Sequence, residues 1–184
     1  MNKVDVIKNK EDIKKIKDFL MLSDFRNYFM FIVGINTGLR ITQILSLKFS
    51  DLVDENNNIV DKLLFNNIEY HINDCVQECF WKYIKNNKND LNSRSYIFKS
   101  KKGDNPIERS QAYRILNHAS KSVGVNIKIG THTLRKTFGY HFYMQNKNLK
   151  YLQKLFNHSS INVTADYIGV DCEKINLDYN SFKL

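Results

Sequence analysis

Proline is almost missing from this chain and glycine is sparse. Pro106 is the single proline, and seven glycines serve 184 residues. With so few breakers there is no repeat array and no low-complexity linker, and boundaries between domains are few. Cysteine is also scarce: Cys75, Cys79 and Cys172. An odd count without an export leader gives no disulfide framework. Cys75 and Cys79 stand one helical turn apart, with His71 one turn earlier. No fourth ligand stands at zinc-like spacing, so free thiols on a partly buried helix are expected, and neither a metal nor another cofactor. Long apolar runs are lacking too. The opening Met1-Asn2-Lys3-Val4-Asp5 is polar, and the stretch from Phe25 to Ile35 is broken by Arg26 and Asn27 and is too short to span a bilayer. A soluble, cytoplasmic protein with no membrane partner is expected. Acids are in deficit, 19 against 28 Lys plus Arg, for a formal +9 and a pI near 9.4. That imbalance favours a polyanionic partner, because neutralised phosphates release counterions.

What is present suits one packed body. Hydrophobic residues make up 42% of the chain, enough for a single core at this length. Asn9-Lys10-Glu11-Asp12 opens a helix with Ile13, Ile16, Phe19 and Leu20 on one face. Ser23 or Asp24 caps a second, strongly apolar helix through Ile35. After Gly38, residues 40 to 47 read as a third. From Phe49 to Ile72 the pattern changes, with turn clusters at Asn56-Asn57-Asn58 and Asn66-Asn67. Ile59-Val60, Leu63-Leu64-Phe65 and Ile68 to Ile72 alternate as strands, so a small antiparallel sheet of two or three strands is expected. Asn73 or Asp74 caps the next helix, which runs to about Lys85. Residues 100 to 106 form a basic loop. Helices follow at 109–123, 133–145, 149–156 and about 162–167. The fold class is mainly α with a small antiparallel β-sheet.

Three segments carry chemistry. Thr37-Gly38-Leu39-Arg40 supplies an arginine after a turn. Thr131-His132-Thr133-Leu134-Arg135-Lys136-Thr137-Phe138 places His132 and Arg135 three apart at a helix start, on one side of its first turn and beside free backbone N–H groups. Phe156-Asn157-His158-Ser159-Ser160-Ile161 leads to Tyr167, nine positions beyond His158. Breaking a phosphodiester without metal needs a nucleophile, cations for the non-bridging oxygens and an acid for the leaving oxygen. Arginine suits the second task, since its planar N–H groups grip phosphate and it stays charged. Each residue alone has a plainer reading: His132 as a cap, Arg135 in a surface ion pair, Tyr167 as one of ten mostly structural tyrosines. The ordered set is what argues for a site.

This set resembles the tyrosine recombinase, or phage integrase, family. Thr37 to Arg40, followed by Leu45, Leu47 and Ser50-Asp51-Leu52, is similar to the first arginine box. Thr131 to Phe138 is similar to the second, and Leu155 to Tyr167 to the last. The resemblance implies a tyrosine recombinase catalytic domain spanning 1–184 that makes site-specific breaks in double-stranded DNA through a 3′-phosphotyrosyl intermediate, for integration, inversion or resolution. It implies Tyr167 as nucleophile, Arg40 and Arg135 on the phosphate with His158 assisting, His132 as base, and a sheet lysine as general acid. Lys62 is the best match for that lysine, and a solvated sheet-edge lysine is its plainer reading. Lys99, Lys101 and Lys102 lie in a later loop, suited to the DNA backbone. The expected assembly is a homotetramer on paired sites.

The chain departs from the family pattern in several places. Gln43 stands where an acid is usual, Lys136 where a histidine is frequent, and Asn157 where a glycine is frequent, though asparagine tolerates left-handed backbone. The N-terminal DNA-clamping domain is expected to be absent, which leaves room for a partner recombinase. The segment 168–184, with Ile175, Leu177, Tyr179, Phe182 and Leu184, either docks on a neighbouring subunit or closes this chain's own core. Two other functions share these features. One is a catalytically idle DNA-binding regulator of recombination sites, and the other a type IB topoisomerase-like relaxing enzyme.

Overall fold

The structure is a computed structural model that describes residues 5–56, 58–87, 94–130 and 132–171. Thr131, Cys172 and the expected exchange segment beyond Asp171 lie outside the described residues.

Helix α1 (Lys10–Ser23) starts where Asn9 accepts the Glu11 N–H, and it buries Ile16 and Leu20. Asp24 ends it and caps α2 (Phe25–Thr37) by accepting from the Arg26 and Asn27 N–H groups. Beyond Asn27, α2 carries no charged residue and buries an unbroken run from Phe29 to Gly34. A helix apolar on every side belongs in the middle of a fold, and α2 packs against α1, α4 and α6.

Helix α3 (Ile41–Leu45) ends two residues earlier than its sequence pattern suggests. Its end is set from far away. Leu47 accepts from the Ile97 N–H at 2.9 Å and Phe49 donates to Ser95 at 3.2 Å, which draws the chain out of the helix into a bridge between Lys48 and Tyr96. A short 3-10 turn (Phe49–Asp51) follows.

The sheet has two strands, β1 (Lys62–Phe65) and β2 (Ile68–His71), antiparallel around Asn66-Asn67, both of which have positive φ. Ile59 forms only a single bridge with Val53, so no third strand joins among the described residues. Leu63 and Tyr70 face each other on the buried side of the hairpin. Helix α4 (Asp74–Asn87) then stacks Phe80 and Tyr83 against Phe29 and Phe49.

Helices α5 (Arg109–Ser122), α6 (Thr133–Asn146), α7 (Leu149–Phe156) and α8 (Ile161–Ile168) complete the order. The buried residues of all these elements form one hydrophobic cluster. Gly139 allows α8 to lie close to α6. A Cβ there would stand 2.7 Å from Ile168 and 2.9 Å from Phe156, and this approach seats the end of α8, where Tyr167 is. Among the described residues no helix is long and apolar enough to cross a membrane.

Candidate active site

Three chain segments converge beside the buried face of β2. The first is the turn after α2. Thr37 donates to the Val33 carbonyl and accepts the Leu39 N–H, closing the helix end. Gly38 takes left-handed backbone at φ +73°, with the Phe138 ring 2.6 Å from where a Cβ would be. Two residues on, Arg40 is exposed, and its backbone N–H is held by the Gln43 side chain at 2.8 Å. Gln43 thus fixes the backbone of Arg40 by hydrogen bonding at the position where the family pattern has an acid.

The second segment opens α6. His132 is the N-cap residue, and Arg135 follows one turn on, only 3% exposed. The Arg135 guanidinium donates to the carbonyls of Gly38 and Leu155 and to the Tyr70 hydroxyl. Its Cζ lies 4.4 Å from the Phe156 ring centre. None of the ion pairs among the described residues involves Arg40 or Arg135. A buried cation held only by neutral dipoles has a strong demand for an anion.

The third segment is the α7–α8 corner. Asn157 ends α7 in left-handed backbone, φ 55° and ψ 51°, so asparagine sustains this turn. Ser160 caps α8 through the Val163 N–H. His158 projects between the two helices, and its Nδ1 meets Thr164 Oγ1 at 3.1 Å. The Thr164 hydroxyl already donates to the Ser160 carbonyl, so it accepts from an Nδ1–H of His158. One helical turn past Val163, the Tyr167 ring packs against His158 at 4.9 Å and Phe156 at 5.5 Å. Its hydroxyl lies 3.2 Å from His132 Nδ1.

The electrostatics follow from this geometry. Burial pushes the Tyr167 phenol up to about 12, against the pull of the Arg135 and Arg40 charges. It therefore rests protonated and needs a base. Desolvation, reinforced by Lys136, Arg135, Arg40 and Arg109, holds His132 below the ordinary imidazole value. Desolvation, with Arg135 and Arg40, does the same for His158. A neutral His132 with its proton on Nε2 accepts at Nδ1, where the phenol stands.

Five of the six candidates, Arg40, His132, Arg135, His158 and Tyr167, are gathered here. Lys62 is placed apart from them. It lies on the exposed face of β1, where its Nζ pairs with Glu69 Oε1 at 2.7 Å across the hairpin. Tyr70, whose hydroxyl meets Arg135, escaped the sequence pattern, and Phe156, whose ring faces that guanidinium, stood in the motif without an assigned role. Tyr70 is one of ten tyrosines and had no motif to mark it, whereas Phe156 stands two residues before His158.

The family's sequence model, described as the phage integrase family, matches residues 8–174. The chain belongs to this family. It is a tyrosine recombinase by family and by fold. It is 38% identical over 183 residues to the probable integrase/recombinase YoeC of Bacillus subtilis, covering 99% of this chain and 98% of that protein. Against the tyrosine recombinase XerH of Campylobacter jejuni it is 28% identical, covering 92% of this chain but 49% of that relative. The chain thus spans about half the length of XerH. The solved XerA recombinase superposes with a TM-score of 0.76 at 19% identity, over all of this chain and 66% of XerA. The XerH recombinase in its post-cleavage complex with palindromic difH substrate gives 0.73 at 18%, over 98% of this chain and 53% of that one. These recombinases share the helical domain with its small sheet.

Proposed function

We propose that this recombinase cleaves and rejoins double-stranded DNA at specific sites with Tyr167 as nucleophile. The observation that carries the reading is the 3.2 Å approach of the Tyr167 hydroxyl to His132 Nδ1, beside the buried Arg135, which pairs with no carboxylate among the described residues. Arg40 and Arg135 hold the non-bridging oxygens of the scissile phosphate. Removing one such clamp typically costs about 2.7–4 kcal/mol of transition-state stabilisation. His132 takes the phenolic proton as Tyr167 Oη attacks phosphorus. The bond from phosphorus to the 5′ oxygen breaks, and Lys62 gives that oxygen its proton after leaving Glu69. The products are a 3′-phosphotyrosyl link and a 5′-hydroxyl. A 5′-hydroxyl from a partner strand reverses the step, with His132 returning the proton to Tyr167. The ester stores the bond energy, so strand exchange needs no nucleotide cofactor.

His158 assists in a charge-dependent way. Its Nδ1–H is committed to Thr164, so Nε2 becomes a donor only on protonation. An incoming phosphate favours that protonation and turns His158 into a third cation at the oxygens. The chain acts as a catalytic domain in the cytoplasm, as a homotetramer on paired sites, alone or with a partner recombinase.

The deciding experiment mixes the protein with nicked duplexes tiled from the DNA flanking its gene and resolves products on denaturing gels. A DNA-linked band lost in Tyr167→Phe supports the reading. Tight, site-selective binding without any adduct overturns it in favour of an idle binder.

A further inference from the structure

We propose that Lys136 is a positioning residue for the nucleophile, seating the Tyr167 ring under its ammonium and facing His132 with a fixed positive charge. This rests on Tyr167 acting as the nucleophile. Lys136 follows Arg135 in α6 and stands four residues after His132, whose carbonyl accepts its backbone N–H at 2.8 Å. That spacing puts both side chains on one helix face. From there Lys136 Nζ lies 5.2 Å from the centre of the Tyr167 ring. The hydroxyl of the same ring is in reach of His132, and the two rings meet edge-on at 82°. Lys136 thus touches one end of the proton-transfer pair through the ring face and the other through space.

Two consequences follow from elementary electrostatics. A cation over a phenol is attracted by the ring quadrupole, and more strongly once the phenol loses its proton. The contact therefore gains strength as Tyr167 becomes nucleophilic, which is the condition for helping the transition state rather than the resting state. The second consequence concerns the base. His132 is faced by Tyr167 from α8, by Arg135 and Lys136 from α6, by Arg40 from the turn before α3 and by Arg109 from α5. Lys136 is the foremost of these charges in disfavouring a protonated imidazole. Arg40 and Arg135 become partly neutralised when a phosphate binds, whereas the Lys136 ammonium is seated over the Tyr167 ring. It keeps the base neutral while the substrate anion is in place.

The test uses the full chain with Lys136→Met, which keeps an unbranched stem, and Lys136→Arg, which keeps the charge. Lys136→Gln replaces the Met variant if the latter fails to fold. First, imidazole protons are titrated by NMR in the DNA-free protein, with His132 assigned through His132→Gln. The His132 midpoint is expected to rise in Lys136→Met and to return in Lys136→Arg. Second, single-turnover adduct formation on the nicked duplex is followed against pH at saturating DNA. Lys136→Met is expected to lower the plateau roughly threefold to thirtyfold, the range that a lost cation–π contact spans, and to move the acid limb to higher pH. An unmoved His132 midpoint in a folded Lys136→Met protein overturns the proposal. So does a slowing that vanishes as DNA concentration is raised, which marks Lys136 as a mere backbone contact. If the unsubstituted protein forms no adduct, the nucleophile assignment fails, and the titration still decides whether Lys136 faces the histidine.

Discussion

The guanidinium of Arg135 donates to the carbonyl oxygen of Gly38, 97 positions earlier in the chain. One hydrogen bond thereby ties the arginine of the α6 box to the turn that delivers Arg40. The catalytic turn and the buried cation are one structural unit, and substitutions at either end act on both.

Gly38→Ala tests that unit. An alanine there meets the Phe138 ring and must keep a positive φ. Overpacking and left-handed strain together cost about 1–3 kcal/mol. Chemical denaturation is expected to show that loss, and adduct formation to fall with it even at temperatures where the variant stays folded.

The two arginines separate by burial. Arg40 is exposed and Arg135 is nearly inaccessible. Arg40→Ala is expected to slow cleavage about a hundredfold or more while leaving the unfolding midpoint almost unchanged. Arg135→Ala is expected to slow cleavage at least as much and also to lower stability, because the Gly38 carbonyl, the Tyr70 hydroxyl and the Leu155 carbonyl each lose the guanidinium donor. Thermal unfolding beside single-turnover cleavage distinguishes the two patterns.

Acid should weaken both activity and fold, with a worked sign. His132 and His158 are held below the ordinary imidazole value, chiefly by desolvation. Their neutral forms predominate at neutral pH, and His132, the proposed base, is lost only as pH falls through its depressed value. The acid limb of cleavage is therefore expected below about 6.5, the ordinary value. The unfolded chain binds these protons more readily, so stability is full above the unfolded value and declines as pH falls toward the folded one. Cleavage rates and denaturation midpoints between pH 5 and 8 check both halves.

Lys62 offers a chemical test of its role. Its bridge to Glu69 is half exposed on both sides, so Lys62→Met should change stability by no more than about 1 kcal/mol. As general acid, its loss should slow cleavage at a 5′ oxygen. A substrate with sulfur at that bridging position leaves as thiolate and needs no proton. It is expected to restore cleavage by Lys62→Met and not by His132→Gln, as single-turnover assays on the two substrates would read.

Much of this architecture was legible in local chemistry. Asn9 and Asp24 are caps because their side chains reach N–H groups two residues on, and the bounds of α7 follow from Asn148 and Asn157. The convergence of His132, Arg135, His158 and Tyr167 was readable as an ordered set. The early end of α3 was not, because its cause is a pairing with residues 95–97, beyond any local window. Neither was the engagement of Lys62 by Glu69, which depends on cross-strand register. Tyr70 escaped because its function is a single long-range contact with Arg135.

The pairing of His132 with Tyr167 has one more consequence. Both residues, together with Arg135, belong to a single polypeptide. Two crippled chains, one lacking the tyrosine and one lacking the arginine, contain no intact set between them in any mixed assembly. Blending them is expected to restore no cleavage, as adduct assays on the mixture would check. One polypeptide thus carries the tyrosine, its hydrogen-bonded histidine and the buried cation together.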